Sequence, residues 1–175
     1  FWTTFWRALG FKIQLSDLST RKIYEDGLSA VTSDTVCFPA KLVHGHLRNL
    51  AKKGVDRIFM PSITTVTSEN KESTSESMCA IVKGYPIVIR NSDNPEKRWH
   101  IPFDAPLFHW YRSEDRNRQL TGYMEKTFGI SPAETRQAIA SADAAEKQFH
   151  DEMHQAGKTV LDEVTANGSY AVVLA

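Results

Sequence analysis

The sequence predicts an α/β fold with a mainly parallel sheet and a long C-terminal helix. Three observations carry this. Short apolar runs alternate with stretches of helical periodicity, the pattern of strands joined by crossover helices. Residues 38–61 read as helix, glycine, strand, which is half of a βαβ unit. Residues 131–167 hold one unbroken helical pattern.

In chain order, Phe1, Phe5, Ala8 and Leu9 fall on one helical face, and Gly10 stops that helix. "FKIQLSD" (11–17) alternates apolar and polar residues and predicts a strand. "TRKIYEDGL" predicts a short helix ended by Gly27. Cys37 precedes Pro39, which suits a helix start, and Val43, Leu47 and Leu50 recur at helical spacing until Gly54. "VDRIFMP" (55–61) predicts a short buried strand ending at a proline. Residues 62–77 are rich in Ser, Thr and Glu without apolar periodicity, and predict a mobile loop. Ile87–Ile89, inside the apolar stretch 80–93, predicts a further strand, with Gly84, Tyr85 and Pro86 as a turn before it. Residues 94–110 predict an irregular, aromatic-rich segment. Leu120, Met124 and Phe128 share one face of a helix over 113–128.

The final helix has the clearest local signal. Ser131, Pro132 and Glu134 form a capping box. Behind it Ala138, Ala142, Ala145, Phe149, Met153, Ala156, Val160 and Val164 recur every three or four residues, a narrow apolar seam of small side chains. Gly168 ends the helix, and 170–175 predict a closing strand. Residues 1–175 therefore read as a single α/β domain. The chain opens without Met in an apolar helix and closes on an apolar strand, so both ends read as cut from a longer polypeptide.

Composition excludes several classes. Lys+Arg and Asp+Glu balance at 21 each, which gives no electrostatic reason for a nucleic-acid partner. No apolar run approaches a membrane span, and no signal peptide precedes the first helix, so the expected location is cytoplasmic. Two cysteines make no disulfide framework. Neither GxxxxGK[ST] nor GxGxxG occurs, so no ATP site of those kinds is expected.

Chemistry gathers around Cys37. A cysteine just before a helix meets free backbone N–H groups and the positive end of the helix dipole, which favour thiolate over thiol. Such a thiolate can bind iron or zinc, or attack an electrophile. The plain alternative is a small apolar side chain that packs. His44 and His46 lie two apart and face different sides of a helix, so they do not share a metal in the i, i+4 manner. Either could act on a thiol as a catalytic base, although no nucleophile signature surrounds them. Cys37, Cys79 and one histidine match no zinc spacing. In a parallel sheet, ligands gather at the carboxyl ends of strands, which on this reading places Asp17, Ser62 and the Asn91–Asp93 turn at candidate positions. The carboxylates Asp17, Glu25, Asp26 and Asp34 read as turn and cap residues, and Trp99 to Tyr111 as a packed loop or docking patch.

"FWTTFWRALGF", "VCFPAKLVHGHLRNLAKKGVDRIFMP" and "MCAIVKGYPIVIRN" together resemble the CoA-substrate-specific enzyme activases, large proteins related to the (R)-2-hydroxyglutaryl-CoA dehydratase activator. The same stretch is similar to the iron–sulfur dehydratase subunits. The resemblance covers roughly residues 1–110, and "CFPAKLVHGH" is its most specific part. It implies a Rossmann-like three-layer α/β domain with a further strand before Phe1. It also implies activase ATPase domains on the same or another chain, and ATP-driven, low-potential electrons delivered in anaerobic 2-hydroxyacyl-CoA chemistry. Cys37 and Cys79 would be thiolate ligands of an iron–sulfur cluster of the 4Fe–4S type, with acyl-CoA nearby and His44 or His46 tuning the site. One departure stands out: the family pattern offers a third cysteine where this chain has Ser62. Two cysteines do not complete a four-thiolate set, so Ser62 would be an oxygen ligand, an outside group would fill the gap, or the domain would be a non-catalytic scaffold without a cluster.

Overall fold

The computed structural model describes residues 1–68 and 72–172. The chain divides into two compact units, Gln14–Pro132 and a second made of Phe1–Ile13 with Ala133–Ala175.

In the second unit, α1 (Trp2–Ala8) buries Phe5 and Trp6. Gly10 ends it in the left-handed conformation, φ 85°, and its N–H reaches Arg7 O at 2.9 Å. Phe11 folds back so that its ring meets Trp6 edge-on at 4.9 Å. The long helix, Pro132–Asn167, runs for 36 residues, as the capping box and seam predict. Its seam is buried at Ala138 and Ala142 but exposed at Phe149, Met153 and Val160. Gly168 follows with φ 60°. No regular element is present at 170–172, and the rest of the predicted closing strand, 173–175, lies outside the described residues.

In the larger unit, α2 (Arg21–Gly27) starts at Thr20, whose hydroxyl accepts from Ile23 N at 3.3 Å. The helix Phe38–Lys52, α3, starts at Cys37 and has Pro39 in its first turn. Ala40, His44 and Leu47 form its buried face. These two helices cross with their backbones in contact. A Cβ on Gly45 would lie 1.8 Å from Ile23 O, and one on Gly27 would lie 2.3 Å from Gly45 N. No side chain fits there, which explains a glycine in the middle of α3, where glycine is otherwise unfavourable.

The strands are short and parallel. Strand β1 (Ile58–Phe59) pairs with β3 (Phe103–Asp104), and β2 (Ser62–Val66) pairs with β4 (Leu107–Trp110). Ile58 N reaches Pro102 O, Met60 N reaches Asp104 O, and Ser62 N reaches Pro106 O at 2.8–2.9 Å, so one register runs through both pairs. Pro106 carries no N–H, and the ladder breaks where it sits.

Helix α4 (Ala80–Ser92) lays Tyr85 and Ile89 on a core shared with Ala40, Leu47, Ile58, Ile101 and Phe103. A short helix, α5 (Pro95–Trp99), follows at once, with Asn94 Oδ1 accepting from Glu96 N at 2.8 Å. Helix α6 (Ser113–Phe128) buries Leu120 and Met124 and ends at Gly129 with φ 68°. No helix among the described residues is long and apolar enough to cross a membrane.

The parallel pairing and the long final helix agree with the sequence reading. With two strands in each sheet, the described residues do not establish a three-layer Rossmann-like arrangement. Four local expectations are corrected. Residues 11–17 form no strand; Asp17 is instead held by side chains, its N–H donating to Asn49 Oδ1 at 3.0 Å and its carboxylate accepting from Lys53 Nζ at 2.6 Å. Ile87–Ile89 and the Gly84–Pro86 segment lie inside α4, because Tyr85 and Ile89, one turn apart, serve one buried helical face. Residues 62–66 are a strand, because Ser62, Ile63 and Val66 pair with Leu107, Phe108 and Trp110 of β4 despite the polar composition around them. Residues 94–110 hold α5, β3 and β4.

Replacing Gly45 with Ala should lower stability by about 1–3 kcal/mol, because the clash with Ile23 O outweighs alanine's helix preference of about 1 kcal/mol. Gly122 in α6 has open space around its Cβ position. There the same substitution should raise stability by up to about 1 kcal/mol. Urea unfolding of both variants checks the pair.

Candidate functional site

The thiols stand at two helix starts. Cys37 is the N-terminal cap residue of α3 and Cys79 that of α4, both with extended backbone and both exposed. The N–H groups of Ile81 and Val82 face the Cys79 sulfur without forming an aligned capping bond. Together with Lys83 they hold its thiol below the ordinary cysteine range, although burial opposes them.

A buried ionic network joins these two helices to α5. Asp93, at the end of α4, is fully buried. Its Oδ2 accepts from His44 Nδ1 at 2.7 Å and from Arg48 Nη1 at 2.8 Å. Its Oδ1 lies 2.5 Å from Arg98 Nε of α5, an ion-pair contact rather than an aligned hydrogen bond. A carboxylate at Nδ1 fixes the proton there, so His44 Nε2 is an acceptor. The Tyr85 hydroxyl donates to it at 2.9 Å. Burial first, then the charges of Cys37 and Asp93, push the Tyr85 phenol up, which keeps it a donor. Arg48 also donates to His44 O at 3.0 Å and lies over the Trp99 ring.

The remaining sequence candidates are placed as follows. His46 points away from His44, as their spacing predicts, and its Nε2 pairs with Ser19 Oγ at 3.0 Å. Burial pushes the His46 imidazole down, against the opposite pull of Asp17. Ser62 is buried at the beginning of β2 rather than beyond a strand end, and its hydroxyl donates to Lys83 O. That carbonyl lies inside α4, so the Ser62 hydroxyl ties the beginning of β2 to this helix. As a ligand, Ser62 would give up that bond. Asp93 belongs to a helix end, not to a strand turn, and Asp17 pairs on the surface with Asn49 and Lys53.

Tyr85, Arg48 and Arg98 were not singled out from the sequence. Arg48 lies four residues after His44 on the same helical face, which is the one signal that pointed to it. Among the described residues, no three His, Cys, Asp or Glu side chains stand together as a metal-binding group. Two thiols are half of a cubane's usual four-thiolate set.

A family model described as the CoA enzyme activase uncharacterised domain matches residues 1–175, the whole chain. No curated protein and no solved structure matches it.

Asp93→Asn should cost about 3–5 kcal/mol in urea unfolding, since it leaves Arg48 without its buried counter-charge. Arg98→Gln should cost under about 1 kcal/mol, because that side chain is half exposed. In a Cys37→Ala background, the rate of Cys79 alkylation by iodoacetamide should rise with pH through a midpoint below the ordinary thiol value of about 8.5. Lys83→Gln should move that midpoint up, because it removes a cation that favours the thiolate.

Proposed function

The chain belongs to the CoA enzyme activase uncharacterised-domain family, and on that premise we infer that it is a thiolate-presenting module of an activase system. It offers Cys37 and Cys79 as two ligands of an iron–sulfur centre that is completed by groups outside this chain. On this reading the centre serves 2-hydroxyacyl-CoA chemistry, with electrons supplied by activase ATPase domains on the same or another chain, and the α/β frame is Rossmann-like. The observation that carries the reading is the placement of both thiols. Each is exposed at the start of a helix, and the two helices are locked side by side by the His44–Tyr85 bond. A thiol that merely packs needs neither exposure nor a helix N-terminus. His44 and His46 contribute through the protein rather than at the centre, since His44 is fully buried and His46 is paired with Ser19.

A second reading, a scaffold domain without a centre, is favoured by one observation. Ser62, at the position of the family's third cysteine, has its hydroxyl committed to Lys83 O.

Iron and acid-labile sulfide, measured after anaerobic reconstitution with a small external thiol, separate the two. Wild type should retain both, and Cys37→Ala and Cys79→Ala should each lose most of them while remaining folded. Wild-type protein without iron, or variants that hold as much as wild type, would overturn the ligand reading and leave the scaffold.

A further inference from the structure

The outer half of the long helix is uncovered among the described residues. Every residue from Lys147 to Glu163 is exposed, a stretch of about 25 Å at the rise of an α-helix. Helices in proteins draw most of their stability from packing one apolar face, and this one has such a face. Phe149, Met153, Ala156 and Val160 step by four, three and four, which keeps them on a single stripe, and Val164 continues it. The large side chains on the stripe are more than half exposed, Phe149 at 58%, Met153 at 56% and Val160 at 54%. The same seam is buried at Ala138 and Ala142. The exposed part therefore continues a face that the fold already uses for packing.

Charge decides what fits there. From Asp143 to Asn167 the helix carries six carboxylates and two lysines. At about 100° per residue, Glu146 borders the stripe on one side, and Glu152 and Glu163 border it on the other. Both lysines fall on the opposite face, where Lys147 Nζ pairs with Asp151 at 2.5 Å and Lys158 has Asp162 one turn ahead. Glu152 accepts from Gln148 Nε2 at 2.7 Å, a neutral donor that leaves its charge in place. No lysine or arginine edges the stripe.

This edge selects against two occupants. A second copy of the helix, parallel or antiparallel, would set Glu against Glu or against His150, and like charges at these flanking positions oppose pairing. An anionic lipid surface is opposed for the same reason. A helix with an apolar face edged by cations meets both requirements at once.

We propose that the outer half of the long helix is a docking face for a helix of a partner protein, one whose apolar side chains are flanked by Lys or Arg. The stripe from Phe149 to Val164 supplies the buried contact, and Glu146, Glu152 and Glu163 select the partner. The role is independent of the thiols.

The test uses the full chain and three fluorescein-labelled synthetic peptides of about 20 residues, long enough to form a helix on a surface. The first carries a leucine stripe flanked by Lys. The second has the same stripe flanked by Glu. The third scrambles the first, keeping its charge and losing its stripe. Fluorescence anisotropy should saturate with the first peptide, at least about tenfold more tightly than with the other two, and weaken as salt rises. The chain alone should sediment as a monomer. Phe149→Gln with Met153→Gln should weaken the first peptide about tenfold or more. Glu152→Lys with Glu163→Lys should shift the preference toward the Glu-flanked peptide, whereas Lys158→Gln should leave binding unchanged. All these side chains are exposed, so the variants should keep wild-type helix content by circular dichroism. The proposal is wrong if the first peptide does not saturate, if the scrambled or Glu-flanked peptide binds as well, or if the charge-reversed variant keeps the wild-type preference. A dimer that Phe149→Gln with Met153→Gln dissociates would also overturn it, by giving the face to a second copy.

Discussion

The buried carboxylate of Asp93 is the constraint on which the rest of the larger unit depends. An ionised group out of water needs partners on every side. Here they come from two helices, His44 and Arg48 on α3 and Arg98 on α5, while α4 carries Asp93 itself. The three helices must therefore converge on one point. The same demand sets the His44 tautomer, and the tautomer in turn makes Tyr85 a donor that ties α4 to α3 a second time. Because α3 begins at Cys37 and α4 at Cys79, a network that fixes these helices also fixes where their N-termini stand.

Around this point the fold is shaped by groups that are missing. Gly27 and Gly45 lack side chains, and this lets α2 and α3 touch backbone to backbone. Pro106 lacks an N–H group, and it cuts one parallel register into two short ribbons. Pro86 lacks an N–H inside α4, and the Ser62 hydroxyl donates to Lys83 O of the same helix. Ser62 thus links the strand that follows one proline to the helix bent by another. This structural role is independent of any ligand.

Most helices could be read directly. The start of α3 at Cys37 and Pro39, the span 113–128 of α6, and the capping box and seam of the last helix all rest on local chemistry that acts within a few residues. The strands were poorly legible, because each is two to five residues long and takes its identity from its partner. Ile87–Ile89 has a strand's composition, yet it lies in a helix because the buried face it serves steps by four. Residues 62–66 sit in polar surroundings and still pair, because β4 supplies the other half of the ladder. Of the site, the helix-start position of Cys37 and the divergence of His44 from His46 were visible; that Cys79 also starts a helix was not, because 87–89 read as a strand. The link from His44 to Asp93, 49 residues away, left no trace in local pattern.

The sequence by itself determined where most of the helices begin and end, that Cys37 stands at one of those beginnings, and the family to which the chain belongs. These depend on spacing, caps and motifs, all of which are local in the chain. Tertiary structure alone decided that Asp93 is a buried counter-ion rather than a turn residue. It alone gave the Ser62 hydroxyl to a helix carbonyl and left the Thr65 hydroxyl without a partner at the end of a bulged strand. The physical reason is the same in each case. A polar group's role is set by what surrounds it once water is removed, and those surroundings come from segments distant in sequence.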